Sequence, residues 1–284
     1  MSASADTLAV RRPAPGLATR ARRLARGRAL TLYATLALAY LFLPIAVVIA
    51  FSFNNPAGRF NYVWEGFTFK NWTNPFSYPG LGHALRVSLE IAAISSVAAT
   101  VLGTLIALSL VRYGFRGRGL TNLLIFMPMT TPEIVMGASL LTLFLNRNIA
   151  TGFGTILIAH VMFNISYVVV TVKARLVGFD RHLEEAAMDL FANEWATFRK
   201  VTLPMIAPGI LAAMLLAFAL SIDDFVITYF NAGAVVTFPL FVWGSARIAV
   251  PPQINVIGTI IFAAAVVTML GNILVQRRRQ KGST

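Results

Sequence analysis

Six long apolar stretches recur along the chain, and none of them carries Lys or Arg in its interior. Each is long enough to cross the hydrocarbon of a bilayer, which requires about 20 apolar residues in a helix. The third stretch contains Pro132 and Glu133, and the fifth contains Asp223 and Asp224. We therefore predict six membrane-spanning helices, at residues 31–53, 88–111, 120–145, 151–172, 205–230 and 254–276.

A seventh apolar stretch, 231–253, starts with Asn-Ala-Gly and ends with Pro-Pro, which favours a short folded-back outer segment over a span. The predicted organisation is a six-span membrane domain over residues 30–276 between two tails, 1–29 and 277–284. The fold class is an all-α integral membrane protein.

Composition excludes a water-soluble enzyme. Of the 284 residues, 57% are hydrophobic and only 12% are charged, whereas soluble domains carry about 25% charged residues. There is no Cys, and the three His residues lie far apart without metal-ligand spacing, so we predict neither a disulfide nor a metal site. The chain also lacks the GxxxxGK[ST] signature of ATP-hydrolysing proteins. We expect no enzymatic activity, no catalytic residue and no cofactor in this chain.

The basic residues are distributed asymmetrically among the loops. Nineteen of the 24 Lys and Arg residues lie in the tails, in the turn 112–119 and in the loop 173–204. The other five, between alternate spans, are Arg59, Lys70, Arg86, Arg147 and Arg247. Because cytoplasmic loops carry the excess of Lys and Arg, both termini are predicted to be cytoplasmic, which requires an even number of spans. The net charge of +13 thus indicates topology and attraction to membrane lipid, and not binding to nucleic acid.

The longest inner loop, 177–204, is mixed in charge and rich in helix-forming residues. Ala186, Leu190 and Trp195 would lie near one stripe of a single helix over residues 181–200. Two interpretations remain open from this pattern. The helix either rests on the membrane surface or inserts its apolar face into a groove on a soluble partner.

Two short motifs in this loop resemble a known family. Glu185-Ala186-Ala187 and, after a gap, Leu203-Pro204 resemble the EAA loop of permease subunits in bacterial ABC importers. The resemblance implies a type I ABC importer permease fold and a loop that couples to a cytoplasmic ATPase. Phe191 stands where the family pattern has Gly. The implied coupling residues are Glu184, Glu185, Ala186, Ala187, Asp189, Leu190, Phe191, Leu203 and Pro204.

Further stretches, 127–141 and 221–230 among them, are similar to spermidine/putrescine importer permeases of the second-subunit type. This similarity runs from about residue 30 to 275. It implies a polyamine permease of the bacterial cytoplasmic membrane whose partners are a cytoplasmic ABC ATPase dimer, a second permease subunit and an extracytoplasmic solute-binding protein. Permeases for phosphonates, opines or iron share much of the pattern and remain alternatives, as does an ion-coupled secondary transporter.

Acids inside spans are costly and are candidates for function. Glu133, Asp223 and Asp224 are predicted to line the path of a cationic substrate, although at most one Asp of the pair would face it. Glu133 could instead cap a helix, and the Asp pair could cap a broken helix or pair with Arg on a partner subunit. In the capping alternative for Glu133, Thr131 is the N-cap residue. Glu90 is expected to pair with Arg86, one helical turn earlier, and His160 to be a hydrogen-bonded packing residue.

Overall fold

The computed structural model describes the backbone of residues 17–281 and the side chains of residues 28–271. The outer parts of both predicted tails, 1–16 and 282–284, lie outside the described residues. The described part is helical, and its only β-type pairings are two isolated bridges. Its helices are α1 Leu17–Phe51, α2 Lys70–Thr73, α3 Leu81–Arg112, α4 Arg118–Thr130, α5 Glu133–Asn146, α6 Phe153–Val177, α7 His182–Asp189, α8 Glu194–Thr197, α9 Leu203–Ile222, α10 Val226–Asn231, α11 Phe238–Ile248 and α12 Pro252–Lys281.

The core is formed by α3, α6 and α9, which pack against one another along most of their lengths. Small residues allow this close approach, and a Cβ added to Gly103 would lie only 2.6 Å from Val168 Cγ1. Ala99, Ala107 and Ala213 are fully buried in the same apolar cluster. Since lipid is as apolar as these side chains, close packing is what holds the three helices together.

Five helices of the described chain are long and apolar enough to span a membrane, and the bent pair α4 and α5 makes a sixth span if counted as one. The span predicted over 120–145, which contains Pro132 and Glu133, is a bent pair in which α4 and α5 meet at 108°. Thr131 is extended (φ −77°, ψ 132°), as residues before proline tend to be, and Pro132 has no N–H to continue the helix.

The fifth predicted span, 205–230, is also two helices. The chain leaves helical geometry after Ile222 and re-enters it at Val226 as the short α10, which packs on α5 and α6. The following apolar stretch forms α11, whose 11 residues rise about 16 Å, too short to cross the hydrocarbon. This agrees with the folded-back segment expected there.

The helix α1 lies at the edge of the molecule. In its apolar part, Arg28–Phe51, none of the most hydrophobic stretch is buried, and its packing within the chain is mainly on α12. The contrast with α3 and α6, about half buried over the equivalent stretch, marks α1 as a peripheral helix.

Candidate functional site

The inner loop is two helices and not one. After α7, Phe191 takes a left-handed conformation (φ +63°), and its N–H donates to Met188 O at 2.9 Å. A left-handed residue commonly ends a helix, and glycine is favoured there because a side chain costs about 1 kcal/mol or more. Asn193 then starts α8, since its Oδ1 accepts a hydrogen bond from Ala196 N at 2.8 Å. The predicted continuous stripe through Ala186, Leu190 and Trp195 was therefore wrong.

The turn between the two helices exposes large apolar side chains. Leu190 is 81% exposed, Phe191 98% and Trp195 68%. Glu185 and Asp189 are exposed beside them. We call these five residues the coupling surface. Clustered exposed apolar side chains with a polar rim are typical of a protein-binding site, so the geometry favours partner docking.

Glu184 points away from the coupling surface. Its Oε1 accepts hydrogen bonds from Arg112 Nη2 and from Thr202 Oγ1, and Arg112 Nη2 also donates to Thr202 Oγ1 at 3.2 Å. The Glu184 side chain is only 12% exposed. These hydrogen bonds hold α7 against the end of α3 and the π-helical turn Phe198–Thr202, so the largely buried Glu184 is placed to position the loop.

The remaining predicted coupling residues lie in α7 and in the first turn of α9. Ala186 is exposed and Ala187 half-buried on α7, while Leu203 and Pro204 are exposed in the first turn of α9. Proline at the start of a helix leaves no hydrogen bond unmade.

An exposed contact between a histidine and an aspartate lies at the start of α7. His182 Nδ1 lies 2.7 Å from Asp180 Oδ1, which also accepts from His182 N at 3.1 Å. The hydrogen bond from His182 lowers the pKa of Asp180, and the same bond raises the pKa of His182. This pair fixes the turn through which the chain enters α7.

Within the membrane part, Asp224 belongs to a closed polar cluster. Its Oδ2 accepts from Thr228 N at 2.8 Å and Thr228 Oγ1 at 2.7 Å, and lies 3.2 Å from His160 Nε2. His160 Nδ1 contacts Ser221 Oγ at 2.6 Å, and Ser221 contacts Ser95 at 3.0 Å. The side chains of His160 and Asp224 are 3% and 6% exposed. The cluster joins α3, α6 and the α9–α10 break, which confirms His160 as a hydrogen-bonded packing residue.

Asp223 lies on the other side of the same break and is exposed. It lines a cavity of about 450 Å³ between the α9–α10 break, α11 and α12. Aromatic rings form one wall, with Phe225 and Trp243 centroids 5.2 Å apart. Among the residues lining this cavity, Asp223 is the one acidic side chain, and the others are apolar.

Glu133 belongs neither to the polar cluster of Asp224 nor to the cavity that Asp223 lines. It is exposed in the first turn of α5, beside the 108° elbow. Thr131 was expected as N-cap, but its hydroxyl donates to Met127 O at 2.7 Å and Pro132 is the N-cap residue. Glu90 pairs with Arg86 at 2.7 Å, as expected.

Comparison with known proteins decides the family. The model of the binding-protein-dependent transport system inner membrane component matches residues 99–279, nearly two thirds of the chain, including both sites. The chain belongs to this family. It is the inner-membrane permease component of an ABC importer.

Two relatives indicate the kind of ABC importer permease to which this chain is similar. The spermidine/putrescine transport system permease protein PotC of Escherichia coli K12 is 38% identical over 263 residues, covering 92% of the permease and 97% of PotC. The putrescine transport system permease protein PotI of the same strain is 39% identical over 79% of the permease and 82% of PotI. The permease is homologous to these polyamine permeases.

A solved structure confirms the fold. A bacterial ABC transporter involved in import of the acidic polysaccharide alginate superposes on the permease with a TM-score of 0.64 at 16% identity, covering 94% of the permease and 99% of that chain. The type I ABC importer permease fold is therefore confirmed.

For Glu184 and Asp224 the sequence indicates the acid but not its partner. Arg112 and Glu184 are 72 residues apart, and His160 and Thr228 are 68 apart. A base at the end of one span and a histidine inside another are common features. Nothing in their local sequence indicates which distant carboxylate each one meets.

Proposed function

We propose that the permease forms the membrane path of an ATP-driven importer for a polyamine. The single observation that supports a cationic substrate is the cavity of about 450 Å³ in which Asp223 faces aromatic rings. A carboxylate supplies the charge that compensates an ammonium leaving water, and aromatic faces attract cations as well. The 38% identity to PotC favours the same substrate class.

The aromatic wall already holds one cation. The Arg247 guanidinium carbon lies 5.0 Å from the centre of the Trp243 ring. Because a polyamine carries several ammonium groups separated by apolar carbon chains, it suits a cavity that combines one carboxylate with rings and aliphatic side chains. Asp223 is thus the proposed substrate contact, while Asp224 takes a structural role in the cluster with His160.

Glu133 has a separate proposed position in the path. It is exposed at the elbow between α4 and α5, and the helix α5 packs on α10 immediately after the Asp pair. Asn231 Nδ2 of α10 donates to Gly137 O of α5 at 3.3 Å. A movement of the elbow would therefore be transmitted to the segment that carries Asp223.

Energy for transport would come from a partner. We propose that a cytoplasmic ABC ATPase dimer receives the coupling surface, with Phe191 and Leu190 inserted into a groove and Glu185 making a charged contact. A second permease subunit and an extracytoplasmic solute-binding protein would complete the importer. The Arg112–Glu184 pair would transmit closure of the ATPase directly to α3, one of the three core helices.

The experiment is transport by the reconstituted complex. The permease with its co-expressed partner subunits is placed in liposomes, and uptake of labelled spermidine and putrescine is followed with and without ATP. We expect uptake to require ATP and the binding protein. Uptake by the permease alone, driven by an ion gradient, would contradict the proposal and favour a secondary transporter.

The same assay tests the contact with the ATPase through the variant Glu185→Lys. The variant should insert and assemble the spans, because the residue lies outside them, but it should lose most ATP-dependent uptake. Removing a charged contact at an interface costs about 2–5 kcal/mol. The control is Glu194→Lys, an exposed acid of α8 outside the coupling surface. Full transport by Glu185→Lys would refute the coupling role.

A further inference from the structure

A second cavity lies where three helices end together. Its volume is about 310 Å³, and it lies between the end of α3, the start of α4, the end of α6 and the segment leading into α7. Four basic side chains line it, with Glu184 as the one acidic lining residue. The bases are Arg112, Arg118, Lys173 and Arg181. Such a concentration of positive charge at one cavity favours an anionic ligand.

Among the side chains that the structure describes, only one of these four bases has an acidic partner. Arg112 pairs with Glu184, as described above. Within residues 28–271, no carboxylate lies within 4.0 Å of Arg118, Lys173 or Arg181, and the Lys173 ammonium donates to the Asn122 amide oxygen at 2.9 Å. Three positive charges therefore face or border the cavity without an acidic partner in the described part of the chain.

An apolar groove continues from this cavity along the membrane part. It has a volume of about 320 Å³ and runs between α4 and α6, past Phe126 and Val170. Lys173 and Val177 line both the groove and the basic cavity. The combination is amphipathic, with positive charge at the helix ends and a hydrocarbon-lined channel leading from it into the span.

We propose that the basic cavity and its groove bind one anionic phospholipid. Its phosphate would lie among Arg118, Lys173 and Arg181, and an acyl chain would lie in the α4–α6 groove. A soluble anion would account for the charges but not for the apolar groove that shares Lys173 with them. Basic pockets between helices on the cytoplasmic side of membrane proteins bind anionic headgroups in this manner.

The site has a direct connection to the coupling loop. Arg112 lines the same cavity and holds Glu184 of α7. A bound phosphate gives Arg112 a second anionic neighbour, so lipid occupancy and the position of α7 become linked. The inference does not depend on which solute the importer carries.

The test is lipid retention by the whole complex. The permease, purified with its co-expressed partner subunits, is incubated with mixed micelles of phosphatidylglycerol and phosphatidylcholine, and bound lipid is measured by native mass spectrometry. We expect selective retention of phosphatidylglycerol. Arg118→Gln and Lys173→Gln should each weaken retention roughly fivefold, the effect of one basic residue near a membrane surface.

Two further variants separate the cavity from general surface charge. Arg116→Gln removes an exposed base from the same turn without touching the cavity, and should retain phosphatidylglycerol as the wild type does. Ala174→Phe keeps every charge but fills the groove, and should reduce retention. Equal losses in Arg116→Gln and Arg118→Gln would overturn the proposal, as would unchanged retention in Arg118→Gln and Lys173→Gln. Intact assembly, checked in the same spectra, excludes misfolding as the cause.

Other occupants give different results. If soluble glycerophosphoglycerol displaced the lipid at equal concentration and Ala174→Phe had no effect, the site would be one for a soluble anion, and the proposal would fail. The chain has no Cys, so Val170→Cys carries a unique cross-linking position in the groove. We expect the residue at this position to cross-link to a photoreactive phosphatidylglycerol. Cross-linking to the second permease instead would assign the groove to a protein partner and would also overturn the proposal.

Discussion

Asp223 and Asp224 are adjacent in sequence, but their side chains have different surroundings. Asp224 accepts hydrogen bonds from Thr228 and pairs with buried His160, whereas Asp223 is exposed at an aromatic cavity. Because the chain is not helical between Ile222 and Val226, this break can present one acid to a cavity and turn the other into the core. The two should respond differently to the same substitution.

We predict that Asp223→Asn reduces transport and Asp224→Asn reduces stability. The first removes the compensating charge of the cavity, so polyamine uptake should fall at least about tenfold with stability changed by about 0.5 kcal/mol or less. The second leaves buried His160 and Thr228 poorly partnered, which should cost about 1–3 kcal/mol. Uptake in liposomes and thermal unfolding of the complex measure the two effects.

The matched control is Glu90→Gln, which removes an acid whose pair with Arg86 is solvent-exposed. It should leave both uptake and unfolding nearly unchanged, since exposed pairs contribute little. If Asp223→Asn transported normally, or lost transport only together with assembly, Asp223 would be a structural residue.

His182 provides a pH-dependent prediction outside the membrane. Its hydrogen bond to Asp180 raises the His182 pKa above the ordinary 6.5. The charged pair should therefore persist as pH rises past 6.5 and be lost as pH rises through the raised pKa. Asp180→Asn should return the His182 pKa towards its ordinary value. The permease has three His residues, so ring resonances can be assigned with His182→Gln and titrated by NMR; an unchanged pKa in Asp180→Asn would contradict the pairing.

Among the elements, α7 is ended by an unusual residue. Phe191 takes a left-handed conformation that glycine adopts at no steric cost, and its ring is 98% exposed. The backbone at Phe191 thus has the conformation that glycine favours, but this position carries an exposed aromatic ring. An exposed ring retained at a steric cost suggests a pocket on the partner.

We predict that Phe191→Gly and Phe191→Ala both weaken binding of the ATPase, about tenfold or more, because each removes the ring. The glycine variant should bind somewhat better than the alanine variant, since it also relieves about 1 kcal/mol of left-handed strain. Affinity of the purified ATPase for each variant measures this. Phe115→Ala, another exposed aromatic of the basic side, is the control. Tighter binding by Phe191→Gly than by the wild type would show that the ring has no pocket.

The sequence predicted which segments are helical more accurately than where the helices break. Apolar runs indicate α3 and α6 directly, and Pro132 marks the elbow, but no propensity gives its 108° angle. The break after Ile222 has neither Gly nor Pro, and at this break Asp224 meets His160, 64 residues earlier in the chain. Contacts of this kind exist only after α6 and α9 have packed, so a local pattern cannot contain them.

For the molecule as a whole, the predictions of membrane class and orientation rest mainly on charge and hydropathy. The apolar runs gave the membrane class and the Lys and Arg asymmetry gave an orientation, because both follow from the bilayer as solvent. The basic side, with the turn 112–119 and the coupling surface, is therefore proposed to be cytoplasmic. This orientation can be tested directly.

We predict that Gly58→Cys reacts with a membrane-impermeant maleimide in intact spheroplasts and that Gly114→Cys reacts only after permeabilisation. The chain has no native Cys, and a Cβ at either glycine meets no atom within 4 Å, so neither variant should disturb the fold. Labelling is measured by mass spectrometry of the purified permease. The opposite pattern would reverse the orientation and remove the coupling surface from the cytoplasm.

The packing of α1 on α12 also has a consequence for biosynthesis. Translation makes α1 before the three core helices and α12 after them, and the core helices are complete once Ile222 has been synthesised. Until α12 has been synthesised, α1 therefore remains in lipid without its main neighbour in the chain. The helices α3, α6 and α9 can assemble without α1. Packing of α1 on α12 can then occur only after α12 has been synthesised, later than assembly of the core helices.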